Sequence, residues 1–222
     1  MNVEIITGSS MTEKEFSPPN KLKTPVLFLV FNRLDTTIQV FEQIRKAKPP
    51  RLYLASDGAR EAVKGEFEKV KEIRDYLISN IDWNCEVKTL FRDKNLGCKY
   101  AVSSAIDWFF ENEEMGIILE DDCLPSQSFF WYCEELLNIY EEDLRIWHIS
   151  GTSILELNNN KSSYHFSNYP GIWGWATWSN RWKEYDVKLN SFNNIKDLKK
   201  IDFKISRIYW AKLFNNVKKN KI

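Results

Sequence analysis

The sequence predicts an α/β protein in which a mostly parallel sheet is flanked by helices. Three observations predict it. Residues Pro25-Val26-Leu27-Phe28-Leu29-Val30-Phe31 form a continuously apolar, β-favouring run, as expected of a strand covered on both faces. Strand-like and helix-like segments then alternate as far as Leu119. The intervening helices have the length of βαβ crossovers. With 222 residues, 43% of them hydrophobic, the chain can bury one sizeable core and is short for two complete domains.

Residues 1–23 are polar, contain Pro18-Pro19, and read as a poorly ordered lead-in. A single domain is expected over 24–222. After the first strand, Asp35 stands where an N-cap belongs, and Ile38, Phe41 and Ile44 recur at helical spacing until Pro49-Pro50 ends the helix. A second strand is predicted over Arg51–Ser56, a helix carrying Phe67, Val70, Ile73 and Leu77, and a third strand over Glu86–Phe91. The cycle repeats with a helix over Tyr100–Phe110 and a strand over Met115–Leu119. Beyond it come a helix over Ser126–Glu142 and a strand around Ile146–Ile149. An Asn158-Asn159-Asn160 loop, an aromatic and glycine-rich stretch, and a Lys/Asn-rich end that turns helical from Phe203 follow.

Lys plus Arg and Asp plus Glu both number 31, so no overall field favours nucleic acid or an acidic membrane surface. Cys85, Cys98, Cys123 and Cys133 show no C-x-x-C spacing and no nearby His, and read as reduced, packed thiols. No basic stretch leads into an apolar core at the start, and no apolar run reaches the ~20 residues of a transmembrane helix. Cytoplasmic residence is the expectation, with peripheral membrane attachment left open.

In an open parallel sheet, ligands bind beyond the carboxyl ends of the strands. Three such junctions carry unusual side chains: Phe31-Asn32-Arg33, Ser56-Asp57-Gly58 and Glu120-Asp121-Asp122. Three consecutive carboxylates repel one another unless a cation neutralises them. Mg²⁺ or Mn²⁺ suits such a site, since it takes one or two carboxylates and fills its other positions with water and phosphate oxygens. The same acids also read as an exposed loop complementing the positive end of the next helix.

Asp57-Gly58 reads either as a plain turn or as a carboxylate accepting from a uracil-like imide N–H. Arg33 reads either as a helix-flanking surface residue or as a planar donor set for base or phosphate. The loop Arg92-Asp93-Lys94-Asn95-Leu96-Gly97-Cys98-Lys99 leads into a helix whose backbone N–H groups favour anions. Neither GxGxxG nor GxxxxGK[ST] occurs, which disfavours a dinucleotide oxidoreductase and a P-loop phosphotransferase. The densest aromatic stretch, Tyr169-Pro170-Gly171-Ile172-Trp173-Gly174-Trp175-Ala176-Thr177-Trp178, reads as core or as a sugar-binding wall. Arg181, Trp182 and Tyr185 read as packing on a following helix.

In the order TPVLFLVFNR, LASDG, IILEDDCLPSQSFF, HISG and YPGIWGWATW, the chain resembles nucleotide-diphospho-sugar glycosyltransferases of the GT-A fold over about residues 24–185. The likeness is to the group that includes N-acetylglucosaminyltransferase I and many bacterial sugar transferases. It implies a Rossmann-like sheet and a metal-dependent transfer, with inversion, from a nucleotide-sugar to an acceptor hydroxyl. A UDP-sugar is the favoured donor, a glycan or lipid-linked acceptor completes the reaction, and Mn²⁺ or Mg²⁺ is the cofactor. Surface-polysaccharide assembly is the process it suggests. Phe31, Arg33, Asp57, Asn95, Gly97, Lys99, Glu120 and Asp121 would bind the donor, Asp122 the metal, and Gly174 and Trp175 the substrate.

The catalytic base is unassigned: Asp197 and Asp202 lack the tryptophan surroundings the family gives it, so the chain reads as stopping short of that residue. Two alternatives remain open. A sugar-phosphate nucleotidyltransferase shares the layout but wants a Gly-rich, basic loop after the first strand. A non-catalytic nucleotide-sugar or glycan-binding domain would need no base.

Overall fold

The computed structural model describes residues 16–152, 163–168, 170–193 and 204–218. The chain divides into two compact units, residues 1–183 and 184–222. In the first, the elements run β1 (Val26–Val30), α1 (Leu34–Ala47), β2 (Arg51–Ser56), α2 (Glu66–Ser79), β3 (Glu86–Phe91), α3 (Gly97–Phe110), β4 (Met115–Glu120), α4 (Gln127–Ile139), β5 (Ile149–Ser150), β6 (Trp175–Trp178) and α5 (Ser179–Trp182). The strands lie in the order β3-β2-β1-β4-β6-β5. Strands β1 to β4 are mutually parallel, while β6 runs antiparallel to both β4 and β5. This is the predicted α/β architecture with a mostly parallel sheet.

β1 has no solvent face, because its alternate residues enter two cores. Val26, Phe28 and Val30 meet Val40, Phe41 and Ile44 of α1, Ile73 and Leu77 of α2, and Phe130 and Leu137 of α4. Leu27 and Leu29 meet Ala105, Ile106 and Phe109 of α3. Burying a side chain of this size stabilises by roughly 1.5–3 kcal/mol, which is why an uninterrupted apolar run settles at the centre of the sheet. Helix α1 buries the stripe Thr37, Val40, Phe41, Ile44 and Ala47 and stops at Lys48, whose φ of 52° precedes Pro49.

Several boundaries differ from expectation. Arg33, not Asp35, is the N-cap of α1; its carbonyl accepts from the Thr37 N–H at 3.1 Å and the Thr37 hydroxyl at 2.6 Å. Phe67 faces solvent on α2, where Glu66 is buried instead. α3 begins three residues before Tyr100, at Gly97, whose φ of 75° lets the loop turn into the helix. α4 ends at Ile139, short of Glu142, and the strand expected around Ile146–Ile149 is confined to Ile149–Ser150. Tyr185 lies beyond the four-residue α5 and is exposed, whereas Arg181 is buried. The Asn158-Asn159-Asn160 loop lies outside the described residues.

Of the expected lead-in, residues 1–15 lie outside the described residues, and 16–23 are tied to α4. The Trp131 indole donates to the Asn20 carbonyl at 2.9 Å. Leu22 is buried, and Glu134 Oε2 accepts from the Lys23 N–H, the Thr24 N–H and the Thr24 hydroxyl at 2.6–2.8 Å. One buried carboxylate thereby fixes the entry to β1. In the second unit, α6 (Lys204–Lys218) matches the helix expected from Phe203, and Phe192 packs with Ala211 and Phe214. Among the described residues, no helix is long and apolar enough to cross a membrane.

Candidate functional site

The chain leaves β1 on one side towards β2 and β3 and on the other towards β4, so the strand order reverses between β1 and β4. Beyond the carboxyl ends of these strands lies a crevice of about 420 Å³ lined by Phe31, Asn32, Arg33, Asp57, Arg60, Arg92, Asn95, Gly97, Cys98, Glu120 and Asp121, among others. This is the topological switch point at which open α/β sheets place ligands.

Each wall is held by a distinct set of bonds. At the end of β1, the Phe31 N–H donates to Asp121 Oδ2 at 3.3 Å. Asn32 donates to Glu66 Oε1 at 2.8 Å, and the same buried carboxylate receives the Arg60 N–H at 2.7 Å and the Arg60 guanidinium at 2.5–3.2 Å. Hydrogen bonds from Arg60 hold the Glu66 carboxyl down at about 2. The Arg60 guanidinium lies 5.6 Å from the centre of the Phe31 ring, joining the ring to this wall.

At the end of β2, Asp57 lines the crevice and is bonded to the loop opposite. Its carboxylate accepts the Leu96 and Gly97 N–H groups at 3.0 Å, anchoring the loop that opens α3. Asn95 adds a 2.8 Å bond to the Gly58 carbonyl. A Cβ at Gly58 would stand 2.7 Å from the Asp93 carbonyl oxygen, so the two loops approach as closely as they do only because residue 58 is glycine. Arg74, on α2, donates to the carbonyls of Ser56, Asp57 and Arg92 at 2.7–3.2 Å, and burial pulls its basicity down.

The acidic triplet diverges. Glu120 is half-buried in the crevice; burial pushes its carboxyl up, reinforced by Asp122 and Asp121. Asp121 is buried and also raised by burial, against the opposing pull of Arg33. Asp122 is half-exposed and turns to a smaller cavity of about 140 Å³ walled by Leu119, Leu124, Phe129, Thr152, Trp173 and Gly174. The neutralising cation in this structure is Arg33. Its guanidinium pairs with Asp121 and, at 3.0 Å, with Asp122, and the two carboxylates raise its pKa against the lowering effect of burial.

Among the described residues, no three or more His, Cys, Asp or Glu side chains are placed to hold a metal ion. Asp121 is engaged by Arg33 and the Phe31 N–H. Asp122, the accessible carboxylate of the triplet, is itself paired with Arg33 at 3.0 Å.

Seven of the residues singled out from the sequence meet in the crevice: Phe31, Arg33, Asp57, Asn95, Gly97, Glu120 and Asp121. Asp122 and Gly174 line the smaller cavity instead. Lys99 lines neither; its ammonium lies 5.6 Å from the Tyr100 ring centre. Trp175 lines neither cavity: β6 buries it against a stacked His148 ring at 4.8 Å and Trp182 at 6.1 Å. The indole at the cavity is that of Trp173, 70% exposed. Asn32, Arg60 and Arg92 also line the crevice and were given no individual role from the sequence. Asn32 stood inside a recognised junction and Arg92 at the start of a recognised loop, whereas only the fold brings Arg60 to the crevice. Of the expected packed thiols, Cys123 and Cys133 are buried, while Cys98 is exposed in the crevice lining.

Fold and site together define an α/β protein with a crevice at its switch point whose lining includes the guanidinium groups of Arg33, Arg60 and Arg92. No protein-family model matches the chain, and no curated protein matches it. Among solved structures it matches HddC from Yersinia pseudotuberculosis, complexed with GMP-PN, at 14% identity and a TM-score of 0.35. The match covers 54% of this chain and 55% of HddC, and a likeness that distant carries no functional argument.

Proposed function

We propose that this chain is a glycosyltransferase that binds a nucleotide-diphospho-sugar in the crevice and passes the sugar, with inversion, to an acceptor hydroxyl. One observation carries the reading: three strand ends far apart in sequence, at 31–33, 57 and 120–121, converge on one cavity of ligand size. Phe31 offers a face for the base, with UDP the favoured carrier. Arg33 and Arg60 are the donors for the diphosphate, since a guanidinium matches phosphate geometry in bidentate fashion. Glu120 and Asp121 border the ribose and sugar, and Gly174 and Trp173 wall the space beside Asp122.

Asp122 would hold Mn²⁺ or Mg²⁺, which when bound offsets charge developing on the departing diphosphate. Attack by the acceptor calls for a base within hydrogen-bond reach of its hydroxyl. Asp197 and Asp202 lie outside the described residues, and neither is assigned that role. A glycan or lipid-linked acceptor, a cytoplasmic site peripheral to the membrane, and a part in surface-polysaccharide synthesis belong to the same proposal.

The test is calorimetric titration of UDP into the wild-type protein with and without Mn²⁺, and into Asp122→Ala. The reading predicts metal-enhanced binding whose metal-dependent part disappears in the variant. Folded wild-type protein that binds neither UDP nor any other nucleoside diphosphate would sink it.

A further inference from the structure

Resting on the nucleotide-sugar reading, we infer that Arg92 and Asn95 read the base: they take a lactam edge, a ring carbonyl beside a ring N–H, so uracil or guanine binds ahead of cytosine or adenine. The three guanidinium groups of the lining are not equivalent. Arg33 is paired with Asp121 and Asp122, and Arg60 with the buried Glu66. Arg92 is half-buried and forms no ion pair with a described residue. Its Nη2 donates to the Ser104 hydroxyl at 2.8 Å, while Nε and Nη1 meet no acceptor among the described residues. Burial pulls its basicity down, with Asp57 opposing. A partly desolvated guanidinium with donors to spare is completed by a ligand that brings acceptors.

The surroundings favour a base over a phosphate. Ser104 stands on α3 one turn beyond Ala101, and Ala101, Val102 and Ala55 make this part of the lining apolar, which suits a flat ring. The Leu96 and Gly97 N–H groups, which would seat an anion at the start of α3, are taken by Asp57. The same bonds occupy the Asp57 carboxylate, so the acceptor offered to a ring N–H is Asn95. Its amide nitrogen donates to the Gly58 carbonyl at 2.8 Å. A carbonyl can only accept, so this bond orients the amide and leaves Oδ1 as the accepting end.

Strand order sets which group meets which atom. Arg33 follows β1, the Asn95 amide is bonded beyond β2, and Arg92 follows β3 at the edge of the sheet. Neighbouring strands lie about 4.8 Å apart, so a base whose diphosphate sits at Arg33 reaches Asn95 first and Arg92 with its far edge. The Arg92 backbone is held at both ends, its N–H on the Ser56 carbonyl at 3.0 Å and its carbonyl by Arg74 at 2.7 Å. Uracil and guanine carry a carbonyl at the far edge with a ring N–H beside it. Cytosine and adenine carry an amino group and a bare ring nitrogen in those places, which sets donor against donor at Arg92 and acceptor against acceptor at Asn95.

The test is calorimetric titration of UDP, CDP, GDP and ADP in one buffer, so that each ring size supplies a matched pair. For whichever ring size the crevice admits, UDP is expected to bind about tenfold tighter than CDP, or GDP about tenfold tighter than ADP. In Arg92→Met the ratio should fall to about threefold or less. Equal or reversed affinities within the pair overturn the inference in the wild-type protein alone, whether or not the variant folds. A folded Arg92→Met that keeps the wild-type ratio overturns it too; both members weakened alike would mean that Arg92 holds the diphosphate. Wild-type protein that binds none of the four refutes the nucleotide reading itself, whereas binding without base preference refutes only the reading of the base.

Discussion

The two cavities on either side of Glu120-Asp121-Asp122 are built differently. The larger lies across the ends of parallel strands, and polar side chains of its lining are pinned: Asp57 by the Leu96 and Gly97 N–H groups, Arg60 and Asn32 by the Glu66 carboxylate. The smaller forms where antiparallel β6 joins β4, and part of its wall is the exposed side chains of Leu124 and Trp173. Pinned groups lose little freedom when a ligand arrives, so the crevice is preorganised for charge recognition. Exposed apolar side chains instead gain most by being covered, which suits the smaller cavity to the sugar and acceptor end.

The sharpest way to break this comparison is the tryptophan pair of the aromatic stretch. Trp175→Ala is expected to cost about 3–5 kcal/mol in urea unfolding, because it empties a buried site. Trp173→Ala should stay within about 0.5 kcal/mol of wild type. Equal losses would remove the contrast between a buried and an exposed indole, and reversed losses would mean that the two have been assigned the wrong way round.

A smaller contrast separates the acids. Asp57→Ala leaves two N–H groups at the start of α3 without their acceptor, an expected loss of about 1–2 kcal/mol. The half-exposed Asp122 should give a stability change under about 0.5 kcal/mol on mutation to alanine. Both variants should lower UDP affinity in Mn²⁺, but only Asp57→Ala should also shift the urea midpoint.

A third contrast is one of pH. Folding holds the Glu66 carboxyl at about 2, below the ordinary glutamate value of 4.5, chiefly through its hydrogen bonds from Arg60. Its contribution is thus full above about pH 4.5 and lost as pH falls towards 2. Urea midpoints between pH 6 and pH 2.5 should fall less steeply for Glu66→Gln than for wild type; parallel curves would show that the crevice wall does not depend on this charge.

The parallel half of the sheet was legible because its strands announce themselves. Val26–Val30 is apolar throughout, and the helices between strands carry their buried stripes at a period the sequence displays. β6 was not, since four residues of mixed size buried on both faces show no alternation and no length. Without β6 there was no register to separate Trp173 from Trp175. The site was legible as a row of residues following strands. Its wiring was not, because Arg33 meets Asp121 and Asp122 across 88 and 89 positions, and Arg74 reaches both β2 and β3 ends from α2. Such contacts follow from the fold and leave no local pattern.

Cys98 offers the most direct test of the claim that the crevice holds the nucleotide. It is the exposed cysteine among the four and belongs to the crevice lining, whereas Cys123 and Cys133 are buried. Burial raises its thiol, with Glu120 and Asp57 adding to the effect, so alkylation should be slow enough to follow by mass spectrometry at mildly alkaline pH. The account predicts that saturating UDP with Mn²⁺ protects Cys98 from iodoacetamide. UDP that binds by calorimetry yet leaves Cys98 reacting at its original rate would place the nucleotide elsewhere and contradict the account.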